Sequence, residues 1–187
     1  LPHCADTAIY RDYELDKDID ILVAGNLNDY YYPFRYRLMQ LAKHYFKRRG
    51  WRVVILQHPG YKLPPREGTY VGEAFARLMN RSKLVFTCAM RFHYALAKYS
   101  EIALCRSLAV ADVPDERQDF FRATTLALDS SMTDEQICRR VEEYLDDDNG
   151  LRAKLTQYAY EQNLATSTMD HYADRFLRAM TSVMDAR

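Results

Sequence analysis

No apolar run in this 187-residue chain approaches the roughly 20 residues needed to cross a bilayer. The opening stretch LPHCADTAIYRD also lacks the basic start and apolar core of a secretion signal. The expectation is a cytoplasmic protein, associated with a membrane only through a partner domain. Paired cysteines are missing too. Cys4, Cys88, Cys105 and Cys138 are widely separated, three of them in apolar surroundings, which predicts buried free thiols in a reducing compartment and no zinc site. There is no repeat and no low-complexity segment. Neither GxGxxG nor GxxxxGKS/T occurs, so no dinucleotide fingerprint or P-loop is available. The absence of a GxSxG elbow and of a CxxxxxR loop disfavours the hydrolases and phosphatases built on them. No DxD pair follows a strand: DKDID, Asp16 to Asp20, has the spacing but precedes the first one, so no metal site is expected.

What is present suits one ordinary globular core. Hydrophobic residues make up 48% of the chain and charged residues 28%, far from the composition of a disordered segment. The net charge of zero is unevenly laid out. Up to Val110 there are 17 Lys and Arg against 10 Asp and Glu; from Ala111 onward there are 9 against 16. A basic first part favours a local anion site over a uniformly basic nucleic-acid surface, although two solvated faces of opposite sign give the same count.

The stretch Phe92 to Val110 reads as helix, tight turn, strand, with Tyr94, Ala95, Ala97, Lys98, Ile102 and Ala103 at helical spacing and an apolar run from Ser107. Before it, IDILVAGN (Ile19 to Asn26) predicts a buried strand. Phe34, Leu38, Leu41, Ala42, Tyr45 and Phe46 predict one amphipathic helix starting near Pro33, with Arg35 and Arg37 off its apolar stripe. WRVVILQHPG predicts a second strand, TYVGEAFARLMNRS a helix with Val71, Phe75, Leu78 and Met79 inward, and LVFTCA a third strand. After Asp112 the run VPDERQDFF reads as turn-rich, Thr125 to Asp129 as a fifth strand, and Thr133 with Gln136 as a helix cap. Two more helices, about 151–162 and 169–184, complete the chain. Strand, helix, strand repeats with near-continuous apolar strands give a doubly wound, mostly parallel Rossmann-like α/β sheet of five or six strands with a C-terminal helical tail. Residues 1–18 are a lead-in and residues 19–187 the domain.

Such a sheet binds ligands at the carboxyl ends of its strands. Asn26, His58, Gly60, Arg91 and His93 collect there, with Lys98 and Glu101 on the helix before the fourth strand. Arg91, Lys98 and helix amide groups near Phe92 to Ala95 suit a diphosphate. Glu101 either pairs with Lys98 or Arg106 on a solvated face, or accepts hydrogen bonds from a ribose or sugar diol. His58 and His93 either cap loops or touch the ligand. Tyr30, Tyr31 and Tyr32 either stack on a base or sugar or meet a partner segment.

HPGY after the second strand, SKLVFTC, KYSEIALCRSLAVAD and the late HYADRF together resemble the carboxyl-terminal half of a GT-B glycosyltransferase, most of all the group 1 and CgeB-like branch. The resemblance covers most of Ile19 to Met184. It implies a domain that binds a nucleoside-diphosphate sugar as donor substrate, with no further cofactor, and that needs a separate acceptor-binding half. It places Glu101 on the donor's ribose or sugar and gives the role of basic helper to Arg91 or Lys98. Arg106 departs from the family, where a glycine often stands; its side chain would narrow the crevice or bind phosphate itself. A whole enzyme of this kind needs about twice this length, so a non-catalytic nucleotide-binding or interaction module is the competing reading.

Overall fold

The computed structural model describes residues 3–59 and 69–185. Gly60 and the Pro-rich run after it lie outside the described residues. The elements, in chain order, are β1 (Ile19–Gly25), α1 (Pro33–Leu41), β2 (Val53–Gln57), α2 (Gly72–Asn80), β3 (Ser82–Phe86), α3 (Lys98–Leu104), β4 (Leu108–Asp112), α4 (Gln118–Thr124), β5 (Leu126–Leu128), α5 (Asp134–Asp146), α6 (Leu151–Thr166) and α7 (Met169–Asp185). The strands form one five-stranded parallel sheet in the order β2-β1-β3-β4-β5.

The pattern in the strands dictates this arrangement. Ile21 to Ala24 are all apolar, so β1 has to be covered on both faces, as a parallel strand is. Ile21, Val23, Leu84, Phe86, Leu108 and Val110 point to one face, against Phe34 and Leu38 of α1 and Ile137 and Val141 of α5. Leu22, Ala24, Val85 and Ala109 point to the other, against Met79 of α2 and Ile102 of α3. The capping box of α5 is formed: Gln136 N donates to Thr133 Oγ1 at 3.2 Å, and Thr133 N donates to Gln136 Oε1 at 2.7 Å. The four cysteines are free, and Cys88, Cys105 and Cys138 are buried. Among the described residues no helix is long and apolar enough to cross a membrane.

Several local expectations need correction. The helix after β1 is not uniform: α1 widens into a π turn at Ala42–Phe46, tightens into a 3-10 turn at Lys47–Arg49 and stops at Gly50, whose φ of 92° is left-handed. Both Ala42 and Phe46 stay buried through the wide turn, and Phe46 meets Phe86 edge-on with ring centroids 6.2 Å apart. Val71 is exposed, because it precedes α2 in extended backbone instead of lying on its inner face. The acidic run after β4 contains α4, whose apolar contribution is Phe121. The helix before β4 starts at Lys98, not Phe92; left-handed backbone at Met90 (φ 51°) and His93 (φ 53°) turns the chain first.

The lead-in is tied to the amino ends of the strands by a polar network. Lys17 Nζ donates to Asn80 O and, at 3.1 Å, to Ser107 Oγ. Asn80 donates to Cys105 O at 3.0 Å and to Asp12 Oδ1 at 3.1 Å. Burial pushes the Lys17 amine down to about 8, an effect that the Asp12 carboxylate only partly offsets. Between about pH 8 and the ordinary lysine value, the unfolded chain holds a proton that the folded chain has lost, so this group's contribution to stability rises with pH across that window. The buried Cys105 thiol, raised to about 12, acts in the opposite direction above pH 9. The difference between the parent chain and Lys17→Met isolates the amine: relative to the variant, the parent should gain up to about 3 kcal/mol between pH 8 and 10.5. Urea unfolding at a series of pH values checks this, and parallel pH profiles would contradict it.

Candidate functional site

With strand order 2-1-3-4-5 the connections leave β1 in opposite directions, so the crevice opens at the carboxyl ends of β1 and β3. There Arg35 reaches back from the first turn of α1. Only 3% of it is exposed. Its Nη1 donates to Asn26 O at 3.2 Å and its Nη2 to Thr87 Oγ1 at 3.1 Å, both neutral oxygens, while its Nε is buried without a hydrogen-bond partner. The Tyr32 ring lies 4.6 Å from the guanidinium carbon. Helical periodicity places Arg35 off the apolar stripe, towards solvent. It is buried instead because the first turn of α1 sits over the strand ends.

Beside this point a cleft of about 350 Å³ runs between the ends of β1 and β2 and the start of α2; Gly25, His58, Tyr10, Phe75 and Lys98 are among its lining residues. Lys98 Nζ lies 2.7 Å from Glu101 Oε2 and 4.4 Å from the centre of the Phe75 ring. The Glu101 side chain is 14% exposed, so it is not on a solvated face. Burial, and then the charge of the Glu101 carboxylate, hold the Tyr10 phenol above the ordinary range. His58 N donates to Gly25 O at 3.0 Å. Burial lowers the pKa of the His58 imidazole, and Lys98 and then Arg35 lower it further, so the ring sits in a field set by both cations.

Arg91 and His93 lie elsewhere on the same rim. Together with Phe34, Arg37 and Asp112 they line a depression of about 300 Å³. The Arg91 guanidinium carbon is 4.1 Å from the Tyr30 ring centre and 5.4 Å from that of Phe92, and Arg91 N donates to Tyr31 O at 3.0 Å. Asp112 Oδ1 accepts from Ala89 N at 2.8 Å, and burial raises its carboxyl pKa. The structure therefore brings His58, Lys98 and Glu101 together and sets Arg91 and His93 apart from them. Asn26 is engaged through its carbonyl by Arg35 and through Oδ1 by Asn28 N at 2.9 Å. Gly60 is outside the described residues.

Two further expectations are corrected. The amide groups of residues 92–95 are not a helix terminus, and Ala95 N is already taken by Glu116 Oε2 at 2.7 Å. Arg106 does not reach the crevice. It precedes β4, at the opposite end of the sheet, where it pairs with Asp12 at 3.0 Å and stacks on Tyr160 at 4.1 Å. Its φ of 55° explains why a glycine suits this position. Sequence patterns missed Arg35, Tyr10 and Asp112. Of these, only Asp112 carried a signal, as a carboxylate closing an apolar strand run.

The family model described as glycosyl transferase-like matches residues 16–178. The chain belongs to this family. Among solved structures, the glycosyl transferase-like chain is similar to sucrose-phosphate synthase from Thermosynechococcus elongatus, with a TM-score of 0.68 and 12% identity over 100% of this chain and 52% of that one. It is also similar to the pneumococcal O-GlcNAc transferase GtfA in complex with UDP and GlcNAc, with a TM-score of 0.60 and 10% identity over 97% of this chain and 38% of that one. The likeness shows a GT-B-type Rossmann-like fold, and the chain spans about half of the first structure and less of the second. No curated protein sequence matches it.

The close approach of Arg35 to β1 gives a test of the local geometry. Gly25 has a φ of 118°, and a Cβ added there would stand 2.7 Å from Arg35 Nη1. The guanidinium is held on both sides and cannot swing away. Gly25→Ala should cost about 1 to 3 kcal/mol in urea unfolding, since strain and clash add. A cost below about 0.5 kcal/mol, the range of an inert surface change, would contradict the packing described.

Proposed function

We propose that this chain is the donor-binding half of a glycosyltransferase, transferring a sugar from a nucleoside-diphosphate sugar to an acceptor held by a second half. The observation that carries the reading is the cleft at the ends of β1 and β2, lined by His58 and by Lys98, which Glu101 pairs from behind, in a chain of this family. His58 feels two cations at once, and a site with that field favours a diphosphate.

In this reading residues 19–187 form the nucleotide-sugar-binding unit. The Glu101 carboxylate accepts hydrogen bonds from ribose or sugar hydroxyls. Lys98 and Arg91 stabilise the charge that develops on the departing nucleoside diphosphate, with His93, Asn26 and Gly60 lining its path. The acceptor's base comes from the other half. The exposed apolar stripe of α7, formed by Phe176, Leu177, Met180 and Val183, supports the presence of a further binding surface. Membership of the group 1 and CgeB-like branch, and a cytoplasmic location with membrane contact only through a partner, belong to the same proposal. The competing reading, a non-catalytic module, draws on the 2.7 Å Lys98–Glu101 pair, in which each charge already has a partner.

Titration calorimetry with UDP, GDP and thymidine diphosphate separates the donor-binding reading from an interaction module that binds no nucleotide. At least one should bind saturably without magnesium, and Glu101→Gln should weaken it about tenfold. The same variant should cost stability by about 1 to 3 kcal/mol, because Lys98 loses its counter-charge. No saturable signal for any of the three at millimolar concentration would favour the interaction module.

A further inference from the structure

Two arginines outside the donor cleft meet at the junction of α6 and α7. Arg117, the residue before α4, reaches the carboxyl end of α6, where its Nη1 donates to Ser167 Oγ at 3.4 Å and its Nη2 to Thr166 Oγ1 at 3.3 Å. Its guanidinium carbon lies 3.8 Å from the centre of the Phe120 ring. Arg175 of α7 comes to the same dipeptide, with Nη1 donating to Thr166 O at 2.9 Å. The other edge of that guanidinium is unused: Nε and Nη2 are both buried without a hydrogen-bond partner. Among the described residues neither arginine forms an ion pair. Two cations therefore share one corner with neutral oxygens alone. Burial, and then the charge of Arg175, lower the pKa of Arg117, so each charge stands in the field of the other.

Helix capping accounts for part of this arrangement. A cation is favourable at a helix carboxyl end, and Arg175 Nη1 satisfies the Thr166 carbonyl. One arginine and one of its N–H groups suffice for that. The second guanidinium and the Nε–Nη2 edge of the first are left over, although buried donors in folded proteins are almost always paired. That edge is the one with which an arginine grips two oxygens of a carboxylate or phosphate in parallel.

We propose that Arg117 and Arg175 form a seat for a small oxoanion, gripped by the Nε–Nη2 fork of Arg175 and neutralised by both guanidiniums. The fork is enclosed, so the seat takes a single phosphate or carboxylate group and not a nucleotide. Ser167 O accepts from Ala5 N at 3.0 Å and Ala5 pairs with Thr168, so the anion sits where α6, α7 and the segment ahead of β1 come together.

Urea unfolding with inorganic phosphate, acetate or chloride at one ionic strength tests this in the parent chain, Arg175→Lys and Arg117→Met. Lysine keeps the charge and can still cap Thr166, but it has no fork. Phosphate or acetate should stabilise the parent saturably beyond chloride, and each variant should bind that anion at least about tenfold more weakly, the worth of one hydrogen bond to a charged group. The tighter of the two anions assigns the seat to a phosphoryl group or to a carboxylate. Exclusion of phosphate from protein surfaces also stabilises, but without saturation and alike in all three chains. If Arg175→Lys fails to fold, Arg117→Met carries the comparison. A parent chain that gains nothing saturable from either anion overturns the proposal. So does a saturable gain that a folded variant keeps in full, which would put the anion elsewhere, as in the donor cleft.

Discussion

A parallel strand with apolar side chains on both faces cannot meet water on either, and β1 imposes that requirement on the whole molecule. Flanked by β2 and β3, it needs α1 on one side and α2 with α3 on the other. Once both faces are covered, only the two ends of the sheet stay open to polar chemistry. The amino ends are sealed by the lead-in, through Lys17, Asn80 and Ser107. The carboxyl ends carry the longer connections, and the cleft lies among them.

The charges at that end follow from the same constraint. Arg35 lies over the strand ends, where its guanidinium meets only neutral oxygens. The Asp112 carboxylate is near enough to feel that charge, which lowers its pKa against the larger effect of burial, so the cost of burying the guanidinium is partly offset through space. Lys98 lies nearby but has Glu101 within 2.7 Å, so the pair is locally neutral and can exchange partners when a charged ligand arrives. Gly25 connects the two features: a side chain on it would collide with Arg35 and close that corner of the cleft.

The sheet was largely legible in the sequence, because strand runs such as IDILVAG and SLAVAD announce burial on both faces without reference to distant residues. The capping box at Thr133 was legible for a similar reason, being a local exchange of hydrogen bonds. The start of α3 was not, since the left-handed turns at Met90 and His93 are adopted by residues with no special need for them. The candidate site was legible in part. His58, Lys98 and Glu101 are gathered by the strand-end rule, but nothing local separates them from Arg91, which the β1–α1 loop engages, and His93, which lies on the same other part of the rim. Arg35 and Tyr10 were hidden because their burial depends on where α1 begins and on how the lead-in folds back, and periodicity reports neither.

The central claim is that the cleft walled by Tyr10, Phe75, His58 and Lys98 receives the nucleoside of a sugar donor. A crystal structure of the chain soaked with UDP tests it directly. The account predicts ribose hydroxyls within about 3.2 Å of the Glu101 carboxylate, with the diphosphate directed towards the end of β1 beside Asn26. Nucleotide bound away from this cleft, or Glu101 engaged only by Lys98 while UDP occupies another part of the rim, would contradict it.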